Sequence, residues 1–364
     1  MLFETRYGPL AIAHNGNFVN ESAIREHLVN DGAIFQSNSD TETFVHTLNR
    51  SNKETLEDAI VYATEQIPTA YSLLIMTPEK VIALKDRFGV RPLSFANLGH
   101  GYLISSEDYA FSQFKEAEFI REISSGEMVV FDKSGNYTEI QYTEPDEHFC
   151  VFEQMYFSNP MSKKNGFRHR YFRELLGKIL HEENPDLDMD TIIPILDSGK
   201  FAALGYSKAS GITYNESFLR VHDPPGINTR SFTSPTYEER IKTAYQKLIL
   251  ADELVNGKRV ATMDDSIVRG TTMRIINERL RNAGATYITN VVAAPPIVNT
   301  CPLGMDYNTK EELVAYGKTL DEITRQIGAD KLIYISLEGV YKAVTKTTNS
   351  GICSGCFGGN YPHK

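Results

Sequence analysis

The chain has 364 residues, a formal net charge of -10, 41% hydrophobic residues and 23% charged residues. This composition is ordinary for a soluble globular protein, the length allows two domains with sizeable cores, and the acidic balance argues against a general nucleic-acid or acidic-membrane binder. The longest apolar runs are too short to span a bilayer, and the first residues have no signal-peptide pattern, so we expect a cytoplasmic protein.

The first half of the chain is predicted to mix short strands with helices. Helices are expected at Glu21–Asn30 and Asp40–Asn49, and strands at GPLAIAH, TAYSLLIM, KVIALKD, GYLISSE and EMVVFDK. The later strands are closely spaced and are separated by turn signals such as Asp86–Gly89 and Lys133–Gly135. This spacing favours antiparallel pairing.

The segment His14–Asn17 follows the first of these strands, and Ser39–Glu42 opens a predicted helix. Side-chain amide and backbone N–H donors placed after a strand suit an oxyanion hole, and Asp40 suits the ammonium group of an amino acid. Taken alone, Asn15-Gly16 is more often the turn of a hairpin. The residues themselves leave both interpretations open.

A change in the pattern of strands and helices predicts a second domain. The polar stretch Tyr142–Phe149 contains Pro145, and from Thr191 onward apolar strands alternate with loops and helices. That alternation is typical of βαβ units around a parallel sheet. We therefore expect domains at residues 1–144 and 145–364.

The stretch Lys258–Thr272, KRVATMDDSIVRGTT, is the most informative part of the second half. Val260–Met263 is predicted to end a buried parallel strand and a helix to begin at Thr271, so the loop between them lies where open α/β sheets bind ligands. Gly270 permits a tight turn, and the loop amides with the helix N-terminus suit a phosphate. The alternative is an ordinary strand-turn-helix whose acids cap the helix.

Several ordered motifs resemble one family. The segments His14–Asn17 and Ser39–Glu42, together with DRFGVRPL and SSED, are similar to the glutaminase domain of class II, N-terminal-nucleophile amidotransferases. KRVATMDDSIVRGTT resembles the phosphoribosyl-pyrophosphate (PRPP) motif of type I phosphoribosyltransferases. From about Phe3 to Pro362 the chain resembles the glutamine PRPP amidotransferases, which open purine biosynthesis. This implies an α+β glutaminase domain of αββα layers, followed by an α/β phosphoribosyltransferase domain with a parallel sheet.

The resemblance also implies roles for particular residues. Asn15 and Gly16 would stabilise a tetrahedral oxyanion, and Asp40 would hold the glutamine amine. Mg²⁺ would be held by Ser198, Asp264 and Asp265. PRPP would be bound by Asp197, Ser198, Gly199, Arg230, Lys247, Asp264, Asp265, Ser266, Ile267, Val268, Arg269, Gly270, Thr271 and Thr272.

The four cysteines are Cys150, Cys301, Cys353 and Cys356, and the last two form a C-x-x-C pair. Four thiolates suit either structural zinc or an iron–sulfur cluster, and ligand type alone leaves both open. Their placement is similar to that in the amidotransferase subfamily that carries a 4Fe–4S cluster. The resemblance implies a structural cluster that ties the C-terminus to the domain junction.

Two stretches of the second half depart from the family pattern. At Asp197–Gly199, plain turn chemistry is the alternative to a pyrophosphate loop; Leu196 stands where a proline is usual, and Lys200 could contact phosphate or be solvated. In Arg220–Thr236 the family has a basic lid that closes over PRPP. Its first part here contains HDPPG, which is stiffer and less basic, so we expect altered lid chemistry.

The family's catalytic cysteine has no counterpart, because no cysteine precedes Cys150. In the family, that N-terminal thiol attacks glutamine. We therefore expect a glutaminase domain that is truncated at its N-terminus, through a late-starting gene model or a real loss, and that cannot hydrolyse glutamine.

The leading hypothesis is an amidophosphoribosyltransferase, a glycosyltransferase that forms 5-phosphoribosylamine from PRPP and glutamine-derived ammonia. A base-using phosphoribosyltransferase and a non-catalytic PRPP or nucleotide sensor are the alternatives. The resemblance implies a homotetramer inhibited by purine nucleotides, and we expect neither nucleic acid nor membrane as a partner.

Overall fold

The computed structural model describes residues 1–67, 69–164, 166–221, 248–305, 309–348 and 350–363. No helix in these ranges combines the length and the hydropathy that crossing a bilayer requires. The α-helices of the described ranges are α1 Glu21–Asn30, α2 Asp40–Asn49, α3 Leu56–Gln66, α4 His169–Glu183, α5 Lys200–Ser210, α6 Thr271–Asn282, α7 Leu320–Ile327 and α8 Leu337–Val344.

The strands divide between the two halves of the chain. Those of the first half are β1 Leu2–Thr5, β2 Gly8–Gly16, β3 Tyr71–Met76, β4 Lys80–Lys85, β5 Ser94–Asn97, β6 Tyr102–Ser105, β7 Glu118–Glu122, β8 Glu127–Asp132 and β9 Tyr137–Gln141. Those of the second half are β10 His148–Cys150, β11 Lys163–Lys164, β12 Phe167–Arg168, β13 Thr191–Pro194, β14 Thr213–Tyr214, β15 Phe218–Arg220, β16 Leu248–Leu250, β17 Arg259–Asp264, β18 Tyr287–Val292, β19 Lys331–Tyr334 and β20 Gly351–Cys353.

The first half forms a layered antiparallel structure. Six strands pair in the order β1-β2-β3-β4-β8-β9, and a smaller sheet pairs in the order β6-β5-β7. Side chains of a strand alternate between its two faces, so Ile82 and Leu84 of β4 pack with the α2–α3 layer, while Ala83 packs with Phe95 of the smaller sheet. The predicted antiparallel pairing is confirmed.

The second half carries a parallel sheet in the order β14-β13-β17-β18-β19. Helices cover both of its faces, which is the usual arrangement for parallel strands because both faces must be buried. Ala261 and Met263 of β17 pack on the side of α4 and α5, whereas Val260 packs with Ile276 of α6 on the other side. The predicted βαβ architecture is confirmed.

The junction between the halves is held by a short parallel pair. Strand β10 pairs with β20, the last strand of the described chain, and this register places Cys150 opposite Cys353. Directly after β10, residues Glu153–Phe157 form one turn of π-helix. The polar stretch that predicts the domain boundary therefore leads into a pairing with the C-terminal part of the chain.

Candidate active site

The loop after β17 has the predicted strand-loop-helix form. Gly270 is the N-cap of α6 and has a φ of 77°, which favours glycine; a Cβ there would lie 3.0 Å from the side chain of Val314. The Val314 amide donates to the Val268 carbonyl at 2.8 Å, and the Arg269 Nε donates to Glu312 at 3.0 Å. The outer side of the loop is thus anchored to the rest of the domain.

The two acids of this loop are buried side by side. Asp264 is 9% exposed and Asp265 is 5% exposed. The Asp265 amide donates to Asp264 Oδ1 at 3.0 Å, Ser266 Oγ donates to Asp265 Oδ2 at 2.6 Å, and Ser198 Oγ donates to Asp264 Oδ1 at 3.5 Å. The three residues predicted to hold Mg²⁺ are therefore neighbours.

In the described part of the chain, neither acid has a basic partner in contact. Within the described ranges, no Lys, Arg or His nitrogen lies within 4.0 Å of either carboxylate. Burial raises the pKa of Asp264 well above its ordinary value, with a further rise from the charge of Asp265, and burial also raises the pKa of Asp265. Two adjacent buried carboxylates of this kind favour binding a cation or a hydroxyl-rich ligand.

A cavity of about 260 Å³ opens over this loop. One side is formed by the loop and the start of α6, residues 264–273, with Ser198 beside them. Phe152, Tyr156, Phe157 and Met305 also line the cavity. We call Phe152, Tyr156 and Phe157 the aromatic wall. The predictions above do not include it, although the run CVFEQMYF directly after the domain boundary was a visible signal of a buried aromatic segment.

The loop Asp197–Gly199 forms a turn that leads directly into α5. The Lys200 amide donates to the Asp197 carbonyl at 3.4 Å, so the turn interpretation and the pyrophosphate loop both stay open. A Cβ at Gly199 would lie 2.0 Å from the Met263 carbonyl oxygen, so glycine is required where α5 meets β17. The Gly199 amide already donates to the Ile195 carbonyl at 2.9 Å. Among these three residues only Ser198 lines the cavity, since the carboxylate of Asp197 pairs with Arg220 and is 62% exposed.

The side chain of Lys200 is 41% exposed, as the solvated interpretation expects, and it also has a carboxylate partner. Its ammonium pairs with Glu216 at 2.7 Å, and Tyr214 donates to the same carboxylate oxygen at 2.7 Å. Arg230 and Lys247, together with the HDPPG part of the lid, lie outside the described residues.

Asn15 and Gly16 lie at the end of β2, opposite Ser72 and Tyr71 of β3. The hairpin-turn interpretation is therefore wrong. Gly16 has a φ of 141°, and a Cβ there would lie 1.9 Å from the Ala70 carbonyl oxygen, so only glycine fits this position.

Asp40 lies next to this strand end, and hydrogen-bond donors surround its carboxylate. His14 Nδ1 lies 3.3 Å from Asp40 Oδ1, and the Phe18 amide donates to Asp40 Oδ2 at 3.1 Å. The His14 ring stacks on Phe18 with a centroid distance of 4.3 Å. Burial alone would raise the pKa of Asp40, but the hydrogen bonds and charge of His14 and the Phe18 amide lower it overall. The predicted glutamine-site residues are thus brought together.

Residues 302–304 of the second half contact this region directly. Asn17 Nδ2 donates to the Pro302 carbonyl at 2.8 Å, and a Cβ at Gly304 would lie 2.8 Å from the Gly16 carbonyl carbon. Arg91, which is buried, pairs with Glu153 at 2.6 Å and donates to the Leu303 carbonyl at 2.7 Å. Met305, one residue further on, lines the cavity, so a single segment connects the two sites.

The cysteines gather where the two halves meet. Cys150, Cys353 and Cys356 belong to one buried cluster, and the half-buried Cys301 packs against it. A hydrogen bond with Cys353 raises the pKa of Cys150 well above its ordinary value, with burial adding to the rise. Among the residues that the structure describes, no three His, Cys, Asp or Glu side chains are arranged to hold a single metal ion.

Sequence comparisons agree with this geometry. A family model for a glutamine amidotransferase domain matches residues 2–113. The amidophosphoribosyltransferase of Bacillus subtilis is 38% identical over 358 residues, covering 98% of this chain and 74% of that protein. The amidophosphoribosyltransferase of Methanothermobacter thermautotrophicus is 34% identical over 361 residues, covering 99% of this chain and 75% of that protein. The chain belongs to the amidophosphoribosyltransferase family.

Solved structures of this family superimpose on the whole chain. The B. subtilis PRPP amidotransferase complexed with ADP and GMP gives a TM-score of 0.88 at 37% identity, covering 100% of this chain and 79% of that one. A structure described as the allosteric regulatory enzyme of purine biosynthesis gives a TM-score of 0.89 at 38% identity, covering 100% of this chain and 77% of that one. The fold is therefore a glutamine amidotransferase domain joined to a phosphoribosyltransferase domain, as expected from the sequence.

Proposed function

We propose that the cavity over residues 264–273 is the site at which this amidophosphoribosyltransferase converts PRPP and ammonia into 5-phosphoribosylamine and pyrophosphate. The observation that carries the proposal is the pair of buried carboxylates, Asp264 and Asp265, which have no ion-pair partner among the described residues. Family membership supports it, because relatives with the same fold bear the name of this activity. We assign the transferase domain to residues 145–364 and the glutaminase-type domain to residues 1–144.

Catalysis in this proposal is a matter of orientation and charge. Asp264 and Asp265 hold the ribose hydroxyls, while the loop amides and the N-terminus of α6 hold its 5-phosphate. Mg²⁺, held by Ser198, Asp264 and Asp265, would neutralise the departing pyrophosphate. Ammonia attacks C1 of the ribose as the bond to pyrophosphate breaks, through an oxocarbenium-like transition state. The aromatic wall excludes water, which would otherwise compete with ammonia.

The glutaminase-type half would bind and orient glutamine. Asn15 and Gly16 would stabilise an oxyanion, and Asp40 would bind the substrate ammonium; the support is that they lie near one another at the end of β2. Each of these groups stabilises charge, and none of them is a nucleophile.

We also propose that Cys150, Cys301, Cys353 and Cys356 hold a 4Fe–4S cluster, as in the iron–sulfur subfamily. The support is a set of four thiols collected at one buried junction, together with the thiolate preference of such clusters. When bound, the cluster would tie β20 to β10 and so fix the C-terminus.

Metal analysis distinguishes the cluster from zinc. Protein purified without oxygen should be brown and contain iron and inorganic sulfide, and replacing Cys353 or Cys356 should expose the C-terminus to proteolysis. Stoichiometric zinc in a colourless protein would contradict the cluster.

The activity is tested by product analysis with Mg–PRPP and either ammonium or free purine and pyrimidine bases. Pyrophosphate release should require added ammonium. Its rate should rise with pH, because ammonium loses a proton to become the nucleophile ammonia. Pyrophosphate release that depends on a purine or pyrimidine base and not on ammonium would contradict the proposal. Tight PRPP binding without turnover would do so too.

A further inference from the structure

Arg173 of α4 is buried beneath the aromatic wall and is only 3% exposed. Its guanidinium does not pair with a carboxylate: within the described ranges, no Asp or Glu oxygen lies within 4.0 Å of it. An arginine stays charged when buried, so it needs acceptors around it. The nature of those acceptors shows what the side chain holds in place.

The acceptors are main-chain carbonyls of the segment that carries the wall. Nε of Arg173 donates to the Gln154 carbonyl at 2.9 Å. One terminal nitrogen donates to the Tyr156 carbonyl at 3.1 Å and to the Ser158 carbonyl at 2.6 Å. A single side chain thus binds three carbonyls of one short turn.

That turn has little structure of its own. Residues Glu153–Phe157 form five residues of π-helix, and the carbonyls at the end of such a turn have no partner within the turn itself. A cation at this end satisfies the carbonyls and favours the orientation of their dipoles. Arg91 holds the start of the turn through Glu153, and Arg173 holds the carbonyls towards its end, next to Tyr156 and Phe157.

The helix that carries Arg173 also packs against the strand that leads into the acidic loop. Phe172 and Leu176 of α4 lie in the same buried cluster as Met263 of β17, the residue directly before Asp264. Helix α4 therefore connects the wall, through Arg173, with the strand that presents the acidic loop.

We propose that Arg173 is a positioning residue of the transferase site, which sets the spacing between the aromatic wall and the acidic loop. This inference rests on the proposed function, because the spacing matters only if PRPP binds there. A displacement of about 1 Å in such a site can cost about 100-fold in rate. Arg173 itself is not expected to touch the substrate.

The chain contains no tryptophan, which allows a reporter to be placed in the wall. Phe157→Trp introduces a single tryptophan at a wall position that is 40% exposed. Arg173→Met and Arg173→Lys are then compared in this background with Arg170→Met. Arg170 lies on the same helix and pairs with Glu174 at 2.9 Å, so its loss leaves the three carbonyl contacts intact.

Two measurements separate positioning from general destabilisation. In the ligand-free protein, acrylamide should quench Trp emission more strongly in Arg173→Met than in Arg170→Met, because the wall loosens. The Kd for Mg–PRPP, followed by the same emission, should rise about 10-fold or more in Arg173→Met and by less in Arg173→Lys, which keeps one charged donor. Arg170→Met should change either reading by less than about 2-fold.

Equal quenching and equal Kd in Arg173→Met and Arg170→Met would overturn the proposal. If Arg173→Met does not fold, Arg173→Lys takes its place in both measurements. Acrylamide quenching and a Kd for Mg–PRPP equal to those of Arg170→Met would then overturn the proposal. If the reporter protein with Arg173 intact binds no Mg–PRPP by calorimetry, the proposed function fails. Enhanced quenching in Arg173→Met would then show that Arg173 still holds the wall.

Discussion

Asp40 in the first half and Asp264 in the second half are both acids at the rim of a candidate site, but their surroundings are opposite. Asp40 has His14 at 3.3 Å and accepts a hydrogen bond from the Phe18 amide, and its pKa is lowered. Asp264 lies against a second buried acid with no basic group in contact within the described ranges, and its pKa is raised. Among the described residues, neighbouring groups favour the charged form of Asp40, whereas the surroundings of Asp264 disfavour its charged form.

This difference separates two ways of using a carboxylate. A satisfied acid such as Asp40 contributes to the stability of the fold and presents a fixed orientation to a substrate ammonium. We expect a buried pair without a basic partner in the described ranges, such as Asp264 and Asp265, to destabilise the ligand-free protein, and a bound cation or ligand to relieve that cost. The following predictions use substitutions that should affect the two sites in opposite directions.

The largest effect is expected from Asp264→Asn and Asp265→Asn. Each removes a charge beside the ribose and Mg²⁺ while preserving size, so kcat/KM for PRPP in ammonium-dependent pyrophosphate release should fall about 100-fold or more. The free energy of unfolding should not fall, because one of two repelling buried charges is gone. Asp252→Asn, an exposed residue of the same domain, is the control.

Unchanged kinetics with PRPP in both variants would remove the basis of the site assignment. A large loss of stability in both would mean that the carboxylates are satisfied by contacts within the protein.

The next effect is a loss of stability in Asp40→Asn. Replacing a carboxylate that accepts hydrogen bonds from His14 and Phe18 should lower the free energy of unfolding by about 1–2 kcal/mol at neutral pH. The folded-state pKa of Asp40 is lowered from its ordinary value of 3.8, so its contribution is present above pH 3.8 and is lost as the pH falls below it.

Urea unfolding at several pH values measures this effect, with the exposed Asp31→Asn as control. The difference from the unmodified protein should shrink in acid for Asp40→Asn. For Asp264→Asn, the raised pKa reverses the sign: any gain in stability should appear only as the pH rises above 3.8. Parallel pH profiles for the two variants would contradict the comparison.

The sequence predicts the elements whose signals are local. Helices α1 and α2 have the predicted bounds Glu21–Asn30 and Asp40–Asn49, and α6 begins at Thr271 as expected. Helix α3, Leu56–Gln66, is absent from the predictions, although Leu56, Ala59, Ile60 and Ala63 have helical spacing and are buried on one face.

The site is only partly visible in the sequence. The acidic loop follows from its spacing, because strand end, acids and helix start are contiguous. The aromatic wall and Arg173 do not. The wall lines the same cavity as the acidic loop but lies more than a hundred residues away in the chain, and Arg173 acts through main-chain carbonyls that carry no sequence signal. The pairing of Lys200 with Glu216 is equally non-local.

The smallest effect is expected from Lys200→Met. Because its ammonium pairs with Glu216 and both side chains are more than one-third exposed, its loss should change the free energy of unfolding by less than about 1 kcal/mol. KM for PRPP should change by less than about 2-fold. A tenfold rise in KM would show that Lys200 leaves Glu216 to contact phosphate, and the basic side chains near the cavity would then have to be reassigned.

The most direct test of the central claim is the thermal stabilisation that Mg–PRPP gives to three proteins: unmodified, Asp40→Asn and Asp264→Asn. A ligand that binds only the folded state raises Tm according to its affinity. We expect a clear rise in the unmodified protein, an equal rise in Asp40→Asn from a lower starting Tm, and little or no rise in Asp264→Asn from an unchanged or higher starting Tm. Equal rises in Asp264→Asn and the unmodified protein would contradict the account.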